Sequence, residues 1–213
     1  MNKRDALKIL FESAEFYYKN LLNNNFLIVY NEGQSLNFIE TIFLKRNFYH
    51  LTGVNYKYST KTNNASIDFF NFCLSKKLPF SDFEFNGRGT TVLKLDIIKD
   101  TLNIMKTCKM IGDFDKNRPF LCTNKIAGNI SACIGFIKSD IDQYYIPNTI
   151  LKEDVRNVVS TTKQVVCIFK KAIVNSIYNE RVYLAKKIDI NNLRFTCEQL
   201  SMISPCLFNS KPL

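Results

Sequence analysis

From Ala6 to Leu22, apolar residues recur at three- and four-residue steps: Leu7, Leu10, Phe11, Ala14, Tyr17, Tyr18 and Leu21. That spacing lines one helical face for burial. Asp5 suits a cap or first-turn anion, and Asn23-Asn24-Asn25 ends the helix. Phe26 to Tyr30 is a short apolar run, Asn31-Glu32-Gly33 a turn signal, and a second run follows near Asn37 to Leu44. The two read as a β-hairpin leading into the stretch around His50. Residues 55–64 are polar and loop-like. A short helix is expected over Ser66 to Ser75, with Ile67, Phe70 and Leu74 on one face. Pro79 and Gly87-Arg88-Gly89 mark irregular chain. Leu93 to Ile111 reads as a second long helix, with Leu95, Ile98, Leu102 and Met105 buried and Gly112 as its stop.

After residue 120 the period turns extended. Ser131 to Lys138, Gln143 to Pro147, Gln164 to Lys171 and Arg181 to Lys187 are four strand candidates. Asp140-Ile141-Asp142 fits a turn between the first two, and Asn175 to Glu180 a hairpin between the last two. Short links favour antiparallel pairing. Helices followed by a meander predict an α+β fold with helices on one sheet face. No repeat, low-complexity block or linker divides the chain. We therefore read residues 1–190 as one domain and 191–213 as a C-terminal extension, with Ser201 to Leu213 expected to pack loosely.

Composition adds an ordinary globular balance, 46% hydrophobic and 23% charged, which argues against disorder. The net charge of +10 is uneven. Residues 1–90 carry 11 cations against 8 anions, and residues 91–213 carry 18 against 11. A basic second half suggests a polyanionic partner, RNA or DNA; the bland reading is a solvated basic surface. Seven cysteines without a C-x-x-C, and a single histidine, make a zinc site of usual spacing improbable. Reduced, buried thiols and a cytoplasmic location are the simplest expectation. No apolar run is long enough to span a membrane, and the charged start does not look like a signal peptide.

The candidate chemistry starts at Lys45-Arg46-Asn47-Phe48-Tyr49-His50-Leu51-Thr52-Gly53-Val54. Imidazole exchanges protons near neutral pH, so His50 is the first acid–base candidate. Its bland reading is a hydrogen-bonded residue at a core edge. Gly87-Arg88-Gly89 lacks the full phosphate-loop pattern. The loop at 113–119 lacks the closing glutamate of a calcium loop.

Several stretches, in order, resemble one family. They are Arg46-Asn47-Phe48-Tyr49-His50-Leu51-Thr52-Gly53, Met110-Ile111-Gly112-Asp113-Phe114, Lys125-Ile126-Ala127-Gly128-Asn129-Ile130, Gly135-Phe136, and Tyr145 through Arg156. The set is similar to the fourth family of phage barnase–EndoU–colicin–RelE-like nuclease domains, over roughly residues 1–190. The resemblance implies N-terminal helices packed on a four-stranded antiparallel sheet, here with a small extra N-terminal hairpin. It also implies a metal-independent ribonuclease of phage or mobile-element origin, acting in a bacterial host without a cofactor. The partners it implies are RNA, tRNA or another structured RNA included, and a host or immunity protein. The family's recurrent residues carry over as His50, Lys125, Asn148, Thr149 and Arg156. The Glu/Arg/His set of barnase itself has no obvious copy.

Metal-free RNA cleavage uses the ribose 2′-hydroxyl as nucleophile and needs a base, an acid and phosphate-binding cations. His50 is assigned the acid or base role. Lys125 and Arg156 would hold the phosphate, with Thr149 or Asn148 bonding a phosphate oxygen. Tyr49 or Tyr145 would stack on a base, with Arg46 and Thr52 nearby on the substrate side. Each has a bland counterpart: Lys125 a solvated cation, Arg156 a partner of Glu153 or Asp154, Thr149 and Asn148 turn caps, Tyr145 packing. The competing function is a non-catalytic basic module that binds RNA or a protein, such as a phage-encoded inhibitor of a host defence system. A structural virion protein is a third class without a sign in the sequence.

Overall fold

A computed structural model describes residues 1–57, 64–115 and 121–208. Parts of the stretches expected as loops at 55–64 and 113–119 fall outside those residues, as does the end of the tail.

The first helix, α1 (Lys3–Asn20), starts where the Asn2 side chain accepts from the Asp5 N–H at 2.9 Å. Its buried stripe is Leu7, Leu10, Ala14 and Tyr17. Tyr17 is wholly buried and donates its hydroxyl to Leu44 O at 2.8 Å. Its ring meets Phe43, Phe48 and Phe70 edge-on. The expected hairpin forms as β1 (Asn24–Glu32) and β2 (Ser35–Ile42). The stretch around His50 is helix α2 (Lys45–Thr52), closed by Gly53 at φ +68°, a left-handed conformation suited to glycine. A short β3 (Val54–Tyr56), α3 (Ala65–Leu74) and β4 (Phe83–Phe85) follow, β3 and β4 pairing antiparallel.

The expected long helix over 93–111 is shorter. Helix α4 (Thr90–Leu102) ends, a single turn α5 (Ile104–Thr107) follows, and the chain then extends as β5 (Met110–Asp113). Ile111 pairs with Ala127 on one side and Lys163 on the other. A short apolar run carries no period that separates strand from helix end, so tertiary pairing decides. Gly112 is no helix stop. A Cβ there would lie 2.8 Å from Val159 Cβ, so glycine permits the close approach of the neighbouring chain.

The remaining strands are β6 (Lys125–Gly128), β7 (Cys133–Lys138), β8 (Tyr145–Leu151), β9 (Lys163–Ala172) and β10 (Glu180–Leu184). The expected four-stranded antiparallel sheet is corrected: eight strands form one mixed sheet, in the order β1-β2-β8-β7-β6-β5-β9-β10. The hairpin is no appendage. β1 pairs with β9 as well as β2, and a single parallel pair, Thr41 with Tyr145, joins β2 to β8. The pairings therefore run in a circuit from β1 through β8, β6 and β9 back to β1.

Helices α1 to α4 cover the inner face, where Phe26, Ile28, Phe136, Ile150, Val165 and Ile168 belong to the main core. The outer face of β1 and β9, with Leu27, Val29, Val166 and Phe169, is covered by the C-terminal segment. That segment packs closely through residue 208, against the expectation of a loose tail. Helix α6 (Cys197–Met202) is capped by Thr196, Tyr178 donates its N–H to Met202 O at 2.7 Å, and Ile203 is buried.

Adding a methyl at Gly112 forces β5 away from the segment at Val159 and Thr161 that leads into β9. Gly112→Ala should lose about 1–3 kcal/mol of stability, read from urea unfolding with an unchanged slope.

Candidate functional site

Cross-strand partners share a sheet face, and alternate residues along a strand point the same way. Applied to the register, this collects polar groups at one end of the inner face. Lys125 lies opposite Phe136 and Asp113, Lys163 opposite Ile111, and Tyr145 opposite Lys138. Tyr30 is buried among them, with Lys163 Nζ 5.6 Å and Lys125 Nζ 6.0 Å from its ring centroid. Lys125 Nζ bonds Asp113 Oδ1 at 2.7 Å, and Lys163 Nζ bonds Glu32 Oε1. Asn37 also donates to Glu32.

The electrostatics tie these groups together. Burial, then the Glu32, Asp113 and Tyr145 charges, pushes the Tyr30 hydroxyl well above its usual pKa, so it stays protonated. The Asn37 and Lys163 bonds hold the Glu32 carboxyl below the usual range, so it is ionised at neutral pH. Burial and Asp113 raise Tyr145. Two ammonium groups, an ionised carboxylate and a protonated phenol thus share one polar end of the inner face. The cluster can grip an anion and exchange a proton at an adjacent carboxylate.

The family model described as phage-Barnase-EndoU-ColicinE5/D-RelE like nuclease 4 matches residues 9–187. The chain belongs to this nuclease family. No curated protein and no solved structure matches it. No helix among the described residues is long and apolar enough to cross a membrane.

Within this nuclease, the residues singled out in the sequence divide into three places. Lys125 and Tyr145 stand in the strand-end cluster. Thr149 and Asn148 do not. Thr149 pairs with Gly135, on the face opposite Phe136 and Lys125, and is buried there. Asn148 sits at a bulge, where Oδ1 accepts from Thr123 Oγ1 at 2.7 Å and Nδ2 donates to Cys122 O. Arg156, in a 3-10 turn after β8, bonds Asp154 through Nε at 3.0 and 3.1 Å and Nη2 at 2.5 Å.

The third place is α2. His50 is exposed, with its ring 5.6 Å from that of Tyr49. Arg46 is exposed in the first turn. Tyr49 is half-buried, edge-on to Phe69 at 5.2 Å, and its hydroxyl accepts from the Tyr56 N–H at 3.4 Å. Thr52 is buried and donates to Tyr49 O at 2.8 Å, closing the helix. Lys94, from the first turns of α4, donates to His50 O at 2.8 Å. Burial lowers the Lys94 ammonium to about 8. Partial burial of the ring, then the Lys94 charge, lowers the His50 imidazole below 6.5. The charges acting on His50 therefore differ from those acting on Tyr30.

Sequence reasoning missed Tyr30, Glu32, Asp113, Lys163 and Lys94. Glu32 was read as a turn residue, yet Tyr30 and Glu32 keep the two-residue alternation of β1, a usable signal. Lys163 contacts Glu32 from 131 positions away, which no local pattern announces.

The lone imidazole gives one unambiguous NMR titration. His50 should titrate below 6.5 in the folded protein. Because the unfolded chain takes up this proton first, the histidine's stability contribution is whole above pH 6.5 and falls as pH drops toward the folded value. Lys94→Met removes the smaller cause, so the His50 pKa should rise yet stay below 6.5. An unmoved titration would contradict the Lys94 contact.

Proposed function

We propose that this nuclease cleaves RNA without a metal, at the strand-end cluster. Lys125 and Lys163 seat the scissile phosphate beside Tyr30 and neutralise charge developing on its oxygens. Glu32, released from Lys163 as the phosphate takes that ammonium, accepts the proton of the ribose 2′-hydroxyl. The 2′-oxygen attacks phosphorus, a cyclic phosphate forms, and the 5′-oxygen departs as the alcohol, taking its proton from solvent water, while Glu32 keeps the 2′-hydroxyl proton until it is released to solvent. Tyr145, half-buried at the cluster edge, offers a ring for an adjacent base. The observation that carries this reading is the pair of ammonium groups within 6.0 Å of one buried tyrosine ring, in a chain of the nuclease family. The ribose nucleophile supports RNA over DNA, because it is built into the substrate and calls for no activated water.

His50 remains the second proton carrier. Its imidazole, kept neutral near pH 7 by partial burial and secondarily by the Lys94 charge, suits a base at the surface. A binding-only reading is favoured by one observation: both cluster lysines are bonded to carboxylates in the folded chain.

Purified protein incubated with total RNA in EDTA separates these readings. Lys125→Ala and Lys163→Ala should each lower cleavage about 10²–10³-fold. A 2′-deoxy nucleotide at the cut site should block it. A loss of about 10²–10⁴-fold in His50→Ala would place the proton transfer on α2 instead of Glu32. Retarded migration of intact RNA, with no fragments under any condition, would sink the nuclease reading and leave a binding module.

A further inference from the structure

A second feature lies on the helical side of the molecule. Arg4, Leu7, Lys8, Phe11 and Glu12 of α1 face Lys76 and Phe80 of the loop after α3, around a groove of about 360 Å³. That is the small end of ligand clefts, with room for one large apolar side chain. Its floor is hydrocarbon: Leu7 is buried, Phe11 half-buried, and Phe80 half exposed at 51%. The loop is tied to α1 by Lys3 Nζ donating to Phe80 O at 3.0 Å. Lys76 takes φ +58°, a conformation lysine adopts rarely.

The rim is basic. Arg4, Lys8 and Lys76 are exposed and form no ion pair among the described residues. The two nearby carboxylates are already engaged, Glu12 by Lys99 and Glu15 by Lys19. An apolar pocket ringed by three free cations complements a segment that offers one large apolar side chain flanked by carboxylates. A nucleobase fits less well. Its polar edges would lie against the hydrocarbon floor of Leu7 and Phe11, where only the rim carries polar groups. We propose that this groove docks an acidic, apolar-anchored peptide segment of a partner protein. None of its residues belongs to the strand-end cluster, so the proposal stands apart from the cleavage reading.

The test uses the whole chain and a fluorescein-labelled peptide of glutamates with leucine or phenylalanine at every third or fourth position. Anisotropy should rise and saturate. Phe80→Asp and Lys8→Glu should each weaken binding about tenfold or more, while Lys187→Glu, outside the groove, leaves it within a factor of about two. An all-glutamate peptide should bind much more weakly. RNA cleavage by Phe80→Asp and Lys8→Glu should match the parent, which separates failure here from failure of the nuclease reading. If thermal melting shows Phe80→Asp unfolded, the exposed-site variants Lys8→Glu and Arg4→Glu carry the test. Equal binding by the groove variants overturns the proposal. So does equal binding of the all-glutamate peptide, which would signal general charge attraction. Displacement of the peptide by a single-stranded oligonucleotide, with loss of oligonucleotide binding in Phe80→Asp, would assign the groove to nucleic acid instead.

Discussion

The pairing of β1 with β9 is the constraint on which the rest depends. β1 is flanked by β2 on one side and β9 on the other, so its backbone polar groups are bonded along both edges. It is also buried on both faces, with Phe26, Ile28 and Tyr30 inward and Leu27 and Val29 outward. A one-residue slip would exchange those two sets. The helical layer and the C-terminal segment would then each meet the wrong side chains. The same pairing closes the circuit of strands. Its bulge at Val29/Tyr30, near the end of the ladder, accompanies the approach of Lys163 to Glu32.

The strand-end cluster follows from that closure. Its groups come from β1, β5, β6, β8 and β9, and each is tolerable only because the others are there. A half-buried lysine beside a tyrosine ring is costly unless paired, and Asp113 and Glu32 supply the pairing. The arrangement keeps two cations beside one aromatic ring while limiting their mutual repulsion.

The outer face uses a different device. Tyr178 is buried and donates its hydroxyl to Glu40 Oε1 at 2.6 Å, while Lys171 stands 4.5 Å over its ring and donates to Ser176 O. The Tyr178 backbone also brackets Ile203 and binds Met202 and Ser204. A segment beyond the family match at 9–187 is thereby locked onto the sheet, and the outer apolar surface of β1 and β9 is shielded from water.

Local pattern alone determined much of this protein. The helical stripe of α1, the hairpin of β1 and β2, helix α3, and the strands β7, β9 and β10 were legible because a period of 3.6 or 2 is written in consecutive residues. Lys125 was singled out because the motif around it resembles a family, and Tyr145 because its ring could stack on a base. What tertiary structure decided was pairing across long separations: β5 taken from an apparent helix end, β1 set against β9, and Lys125 placed on one face with Thr149 on the other. It also brought Lys94 of α4 onto the end of α2 at His50. The physical reason is that a side chain's face and neighbours depend on the register between distant strands. That register is set by the summed burial of the whole sheet and not by any residue's own surroundings in sequence.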